Sequence, residues 1–417
     1  MVGCGASGMM AAIAAARNGA SVTVLDAGRK PGRKLLLTGN GRCNLSNLNP
    51  EIVSVYDALG SEGCTQFVSK VFEGFGVQDT LSLFQECGLV TVTEHGEWVY
   101  PASGRSDSVL NVLLREMNRL GVKMKYDVEV TGIDRASDGR WQVRTEGWSY
   151  ACDSVVIACG SRAASATGSN GSGYELCLGL GMDVTEIRPA LTALRCRPVQ
   201  DDCIVFEAGQ DKAKEDAPLP VPLGTAAGTR TAAKVSLYAD DTLLAQEEGQ
   251  VQFTQNGVSG IAVFNMSRHA VRALRDRKTP VISLDLLPVM EKEELAAYLQ
   301  KLQSLRPEDS MKDLLAGILP AGLIPLFASG TDPEKTAGAI KGYALEVTGL
   351  RDFENCQICA GGVILDQLDP SSMQCVDPSL EGIHIAGELA DVDGPCGGYN
   401  LQWAWSSGYV AGMHSAL

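Results

Sequence analysis

Glycines 3, 5 and 8 open the chain as Gly3-Cys4-Gly5-Ala6-Ser7-Gly8, between β-branched Val2 and an alanine-rich stretch, and Asp26 stands 18 residues past the last of them. This spacing suits a pyrophosphate. The first glycine permits a tight turn, the second lets the backbone approach phosphate oxygens, and the third lets a helix pack against a strand. The helix N-terminus adds partial positive charge, and an acid ending the next strand meets ribose hydroxyls. The GxGxxG spacing alone is a weak signal. With a strand before it, a helix after it and the acid in place, it specifies dinucleotide binding by Gly3, Gly5, Ala6, Ser7, Gly8 and Asp26, without separating nicotinamide from flavin.

The far end of the chain makes that separation. Gly382-Ile-His-Ile-Ala-Gly387-Glu388 reads as a short strand ending in glycine and acid, and Gly397-Gly398-Tyr399-Asn400-Leu401-Gln402 then opens a helix. In flavoproteins such a strand brings an acid or backbone to the ribitol and pyrophosphate, and the next helix aims its N-terminus at the pyrimidine side of the ring. There its dipole favours the anionic reduced flavin. The expected cofactor is FAD.

Residues 28–48 form a loop rich in Gly, Arg, Lys and Asn, of the kind that touches ligand. Lys34 and Arg42 are read as phosphate or flavin contacts rather than solvated charges, because glycines surround them. Cys43 reads as a buried cysteine beside that loop rather than a reactive thiol. Tyr399 and Tyr100 are candidate proton donors, with packing as the alternative. Trp403 and Trp405, two apart on a helix, point in different directions and default to the core. Gly168-Ser-Asn-Gly171-Ser-Gly173 has the wrong spacing for a second resident nucleotide, so a nicotinamide donor would dock transiently.

The elements that must position these groups are legible in outline. A helix is expected over Ser7–Asn18, a strand over Ser21–Leu25, two helices within 61–87, and a hairpin from Val90 to Tyr100 turning at His95-Gly96. A helix over Ser106–Leu120, strands between Lys123 and Ile133 and at Trp141–Thr145, and a buried parallel strand at Ser154–Ala158 follow. From Pro189 to Phe253 the pattern is one of short antiparallel strands; helices are expected near Ile261–Arg275, Glu291–Leu302 and Glu334–Leu345. A strand at Ile383–Ala386 and a helix at Asn400–Met413 close the chain. The fold class is α/β: a Rossmann-like FAD-binding domain assembled from both chain ends, 1–188 plus 346–417, with an inserted mixed β/α substrate or cap domain at 189–345.

Composition argues against several functions. With 35 basic against 50 acidic residues the net charge is −15, which repels phosphate backbones and anionic membranes. The longest apolar stretch, Leu314–Ala328, is too short to span a bilayer and is broken by Pro320 and Pro325. Met9–Ala16 lacks the preceding basic residues of a secretory signal, so a cytoplasmic location is expected. Thirteen scattered cysteines read as reduced, buried apolar residues. The close pair Cys356 and Cys359 falls in an expected strand, where positions i and i+3 face opposite sides and a bridge is awkward. Four histidines, none at a recognised ligand spacing, point to no metal.

Taken together, Gly32-Arg-Lys-Leu-Leu-Leu-Thr-Gly-Asn-Gly-Arg-Cys-Asn44, Val99-Tyr-Pro-Ala-Ser-Gly104, Gly257-Val-Ser-Gly260, Ala360-Gly-Gly-Val363 and Gly397-Gly-Tyr-Asn-Leu-Gln-Trp-Ala-Trp-Ser-Ser-Gly408 resemble a bacterial family of FAD-dependent, NAD(P)-linked oxidoreductases. That family includes aminoacetone oxidase-like proteins and a clostridial 3-dehydro-bile-acid Δ4,6-reductase. The resemblance runs in order along nearly the whole chain. It implies that Gly5, Ser7, Gly8, Asp26, Arg33, Lys34, Gly39, Asn40, Gly41, Arg42, Asn44, Val130, Gly160, Gly387, Glu388, Asn400 and Leu401 line FAD. Three departures stand out. The family's full first strand is reduced to Val2, Ala158-Cys159-Gly160-Ser161 replaces Ala-Thr-Gly-Gly, and Gln255 and Ile261 replace a His and a Pro.

The resemblance implies NAD(P)H-linked reduction of an activated C=C bond in a 3-oxo steroid of bile-acid type. A flavin amine oxidase and a non-catalytic flavin-binding sensor remain as alternatives. The expected partner is a small-molecule substrate, with no nucleic acid and no membrane insertion.

Overall fold

A computed structural model describes residues 1–199 and 221–416. The chain divides into two compact units, Met1–Arg188 with Phe353–Leu417, and Pro189–Asp352.

The first unit is organised on a parallel sheet in which Val2 is the central strand. Short as it is, this stub pairs with Leu25 on one side and Ile157 on the other. Val2 N–H donates to Val156 O at 2.9 Å, and Gly3 N–H to Leu25 O at 2.8 Å. Strand Thr23–Leu25 continues to Lys123–Lys125, and Val155–Ile157 continues to Ile383–Ile385, both in parallel. Gln374–Cys375 and Leu368–Asp369 extend that edge antiparallel. Both chain ends therefore enter one sheet, as the Gly-rich motifs at each terminus anticipate.

Register decides where the motifs land. Val2, Leu25, Ile157 and Ile385 are ladder neighbours, so Gly5, Asp26, Gly160 and Gly387, each one to three residues further on, emerge at the same C-terminal edge. That edge is where open α/β sheets hold ligands. Covering it, helix Ala6–Arg17 packs against helix Tyr399–His414 with almost no side chain between them. A Cβ added at Gly408 would lie 2.5 Å from Ser7 O, and one at Gly412 would lie 2.2 Å from Ala11 O.

The expected helices within 61–87 are Cys64–Gly74 and Val77–Glu86, and the hairpin is Thr91–Glu94 with Trp98–Pro101. His95 (φ 52°) and Gly96 (φ 82°) turn it within the three-residue loop 95–97 that follows the Glu94–Trp98 pair. The 28–48 loop holds only short turns at Leu35–Leu37 and Thr38–Gly41 and a two-residue strand Ser46–Asn47.

The second unit is a closed six-stranded barrel in the order Leu194–Pro198, Gly257–Ser259, Thr242–Thr254, Arg230–Ala239, Pro280–Asp285 and Tyr343–Leu350. Alternate residues fill it: Val235 and Leu237, Val251 and Phe253, Ile282 and Leu284, Leu345 and Val347. Helix Ile261–Arg275 lays Val263, Met266 and Ala270 on the same core.

Two expectations change here. The run to Phe253 was read as short strands, yet Arg230–Ala239 and Thr242–Thr254 form one long hairpin turning at Asp240 (φ 48°) and Asp241 (φ 61°). Its outer face is polar, which hid its length; the part of that run at 200–220 lies outside the described residues. The helix expected over Glu334–Leu345 is Pro333–Lys341, and Tyr343–Leu350 is a strand bonded on both sides. That closing strand carries the unit boundary to Asp352, beyond the expected 345, because its pairing partners all lie in the barrel.

Candidate functional site

The three opening glycines serve different ends. Gly3 adopts φ 99°, and a Cβ there would meet Ala158 O at 2.5 Å; a Cβ at Gly8 would lie 2.1 Å from Gly3 O. Both close approaches are within the protein, and they seat the first helix on the strand. Gly5, the N-cap of that helix, has nothing within 4 Å of an added Cβ, and neither does Gly160 at φ 71°. Each follows, by three residues, one member of the parallel bridge between Val2 and Ile157. A backbone bare of side chains at the N-terminus of a 12-residue helix is the cradle a pyrophosphate requires, so FAD fits the residues present.

Asp26 holds the glycine turn. Its Oδ2 accepts from Cys4 N–H at 2.6 Å and its Oδ1 from Gly28 N–H at 2.7 Å. Burial first, and the Asp26 charge second, push the Cys4 thiol up to about 12, so that cysteine packs rather than reacts. Ala6 is half-buried and Val130, buried, begins strand Val130–Arg135.

A second group forms around Glu388. Lys34 Nζ lies 2.5 Å from Glu388 Oε2, and Ser161 Oγ donates to the same oxygen at 3.1 Å. Residues 34, 161 and 388 are thus brought together from three separate motifs. Ser161, standing where the family has glycine, finds its role here. Gly387, at φ 72°, donates its N–H to Ser407 Oγ at 2.9 Å and accepts from Trp403 Nε1 at 3.0 Å. Arg33, exposed, donates to Ala166 O at 2.7 Å and so tethers the loop before Gly168.

The Gly39–Asn44 loop is conformationally tense. Gly39, Asn40, Gly41 and Cys43 all have positive φ, and for Asn40 (55°) and Cys43 (59°) this is a sparsely populated region. Such geometry collects at ligand-holding loops. Cys43 is fully buried and burial pushes its thiol up to about 12. Asn44, buried, has its amide nitrogen within 3.1 Å of Ser46 O and 3.2 Å of Val99 O when that nitrogen faces them. Arg42 forms a two-pronged pair with Glu94, whose carboxyl the guanidinium lowers, and stands 4.3 Å over the Tyr100 ring. Asn40, Gly41 and Arg42 face Gly104–Asp107 across an open cleft of about 490 Å³.

At the last helix, Gly398 (φ 96°) approaches Ser46 so closely that a Cβ would lie 2.4 Å from its carbonyl. This joins the Gly39–Asn44 loop to the helix N-terminus. Asn400 braces the preceding turn, its Oδ1 accepting from Gly394 N–H at 2.9 Å and its Nδ2 donating to Gly394 O at 2.8 Å. Leu401 is half-buried. Tyr399 accepts from Asn49 Nδ2 at 3.2 Å and packs edge-on to Tyr56. Trp403 and Trp405 are both core residues, the latter donating to Leu45 O at 3.0 Å.

Two supporting groups escaped sequence reasoning. Gln402 sits inside the core, accepting from Ser46 Oγ at 2.6 Å and donating to Thr80 Oγ1 at 2.8 Å and Ser406 Oγ at 2.9 Å. Asp391, fully buried, accepts from the N–H groups of Leu59 and Gly60. A glutamine directly before the Trp403-Ala404-Trp405 run was the available signal for Gln402; nothing local marks Asp391. Among the described residues, no three His, Cys, Asp or Glu side chains are grouped to hold a metal, and no helix is long and apolar enough to cross a membrane.

A Gly-rich turn on a parallel sheet, answered by a second glycine–acid strand end, defines a dinucleotide-binding protein of Rossmann type. Residues 1–414 match the HI0933-like protein Rossmann domain, and the chain belongs to that family. It is 35% identical, over 100% of its length and 98% of the relative's, to a 3-dehydro-bile acid delta(4,6)-reductase of Clostridium scindens. It is 25% identical, over 99% and 97%, to a ribosomal RNA dihydrouridine synthase of Haemophilus influenzae. A 3-ketosteroid-delta4-(5alpha)-dehydrogenase structure from Rhodococcus jostii RHA1 aligns over 100% of this chain and 96% of its own, at 17% identity and TM-score 0.49.

Proposed function

We propose that this chain is an FAD-dependent oxidoreductase that uses NAD(P)H to reduce an activated C=C bond in a 3-oxo steroid of bile-acid type. The observation that carries this reading is the end-to-end 35% identity to a protein named as a bile-acid Δ4,6-reductase. The dihydrouridine synthases point to the same reaction class, because dihydrouridine differs from uridine by two hydrogens across a ring C=C bond.

In this reading Gly3, Gly5, Ala6, Ser7, Gly8 and Gly160 cradle the pyrophosphate, Asp26 and Val130 flank the adenosine end, and Gly387 with Glu388 meets the ribitol. Arg33, Lys34 and the Gly39–Asn44 loop enclose the remainder, with Asn400 and Leu401 at the helix N-terminus. Bound flavin supplies hydride transfer at its N5 position. The protein's share is electrostatic and geometric. The N-terminus of the 16-residue last helix directs partial positive charge at developing anionic charge. Tyr399, its hydroxyl positioned by Asn49, is the favoured proton donor; Tyr100 lies beneath Arg42, and burial raises its hydroxyl. The donor nicotinamide docks transiently.

A second reading, reduction of a pyrimidine in RNA, is favoured by the relatives at 24–25% identity. The net charge of −15 opposes it, and this supports a small-molecule substrate. The test is an anaerobic absorbance titration of the purified protein with NADH and NADPH, then with a 3-oxo-4,6-dienoyl steroid. Bleaching of the flavin band by a nicotinamide and its return on adding steroid are expected. Return with unmodified ribosomal RNA instead selects the second reading, and bleaching by an amine alone defeats both.

A further inference from the structure

Cys356 and Cys359 belong to no part of this scheme, yet their arrangement is specific. The expectation that they face opposite sides assumed one continuous strand. Strand Ile358–Ala360 begins only after Cys356, which leaves a turn at Phe353–Asn355. That turn is pinned on two sides: Ala164 N–H donates to Phe353 O at 2.8 Å, and the Arg162 guanidinium stands 4.7 Å over the Phe353 ring. Cys356 folds back, its thiol 3.5 Å from Phe353 O. Both cysteines are thereby packed in one small cluster with Ala163, each less than 5% exposed, and both are free thiols.

We propose that Cys356 and Cys359 form a two-electron dithiol–disulfide pair, oxidised by small hydroperoxides and reduced by small thiols. The inference stands apart from the identity of the flavin substrate. The residues divide the labour. A hydrogen bond from Cys359, with help from the Lys34 ammonium, lowers the Cys356 thiol against the opposing effect of burial. The same hydrogen bond and burial push the Cys359 thiol far up. That direction, together with its place beneath the turn of exposed Glu354 and Asn355, makes Cys356 the attacking sulfur and Cys359 the resolving one.

In the first step the Cys356 sulfur forms an S–O bond to the peroxide. The O–O bond breaks, and the leaving oxygen takes the proton shed by the thiol. In the second, Cys359 forms the S–S bond, the S–O bond breaks, and the hydroxide departs as water with the Cys359 proton. Two thiols and one hydroperoxide become one disulfide, one alcohol (water when the oxidant is hydrogen peroxide) and one water. Access is short: Cys356 lies beneath a turn whose Glu354, Asn355 and Gln357 are exposed, and a peroxide is little larger than water.

The test is peptide mapping of the full chain, as purified, after graded hydrogen peroxide and denaturing alkylation. Expected is a Cys356–Cys359 peptide lighter by two hydrogens, at doses that leave buried Cys4, Cys43 and Cys177 alkylated, with both thiols restored by dithiothreitol. In Cys359→Ser, a sulfenic-acid trap of the 1,3-dione class is expected on Cys356; in Cys356→Ser, Cys359 stays alkylated. Should a variant fail to fold, the wild-type map alone decides. The proposal is overturned if both thiols remain alkylated while half-buried Cys152 and Cys396 are modified. It is equally overturned if Cys356 pairs with Cys396, whose thiol lies 3.9 Å from Gln357 Oε1.

Discussion

The ligand edge of the first unit and the barrel of the second are solid for opposite reasons. At the ligand edge, backbone rests on backbone: Gly3 on Ala158, Gly8 on Gly3, Gly398 on Ser46 and Gly412 on Ala11. In the barrel, side-chain volume fills the interior, with Phe253 fully buried and its ring 6.4 Å from that of Tyr343. The lesson is one of direction. Where backbone touches backbone the first region has no room for an added carbon, and the barrel interior is filled by the carbons it has.

Adding a single carbon where no room exists breaks the comparison most severely. Gly8→Ala places a methyl 2.1 Å from Gly3 O, so destabilisation of about 4 kcal/mol or more is expected. Loss of soluble yield, or a collapsed thermal transition, checks it. Removing carbon from the barrel comes next. Phe253→Ala is expected to destabilise the second unit by about 3–5 kcal/mol. Hydrogen exchange should show this loss in strands Thr242–Thr254 and Arg230–Ala239 while the Val2 and Val155–Ile157 amides keep their protection.

Acid probes the first unit through one buried histidine. His384 lies in its sheet, with Nδ1 3.0 Å from Ser372 O, and burial lowers its value from 6.5 to about 4. The unfolded chain therefore takes up the proton first as pH falls. Stability from this group is intact above about pH 6.5 and is lost progressively down to about pH 4, amounting to about 2 kcal/mol by about pH 5. Urea midpoints against pH, with His384→Asn flattening that slope, decide the matter. The smallest effect sharpens the comparison. Gly5→Ala has open space and an ordinary φ of −85°, so its melting curve should match wild type within about 0.5 kcal/mol. FAD affinity should fall about tenfold, or about 1.4 kcal/mol, read by flavin fluorescence. Unchanged affinity would remove Gly5 from the cradle.

How much was legible follows from the range of each interaction. The glycine turn, Asp26, the His95-Gly96 hairpin and the Gly397-Gly398 helix start are local, and each leaves its signature within a few residues. The length of the hairpin Arg230–Thr254 is hidden by its polar outer face, and the strand Tyr343–Leu350 by pairing partners distant in sequence, Leu194–Pro198 and Pro280–Asp285. Arg42 shows the limit within the site. Its glycine-rich setting marks a ligand loop, but nothing nearby announces Glu94, 52 residues on, as its partner.

By itself the sequence determined that a dinucleotide fold is assembled from both ends of this chain, because φ-permissive glycines and strand-ending acids can be read one residue at a time. Tertiary structure alone decided that Val2 is bridged in parallel to Leu25 on one side and Ile157 on the other, which sets the glycine turn between two strand ends. It decided that Lys34, Ser161 and Glu388 meet, and that Cys356 and Cys359 share one small buried cluster. Those meetings depend on parallel register and on one pinned turn, and neither is written at the positions they bring together.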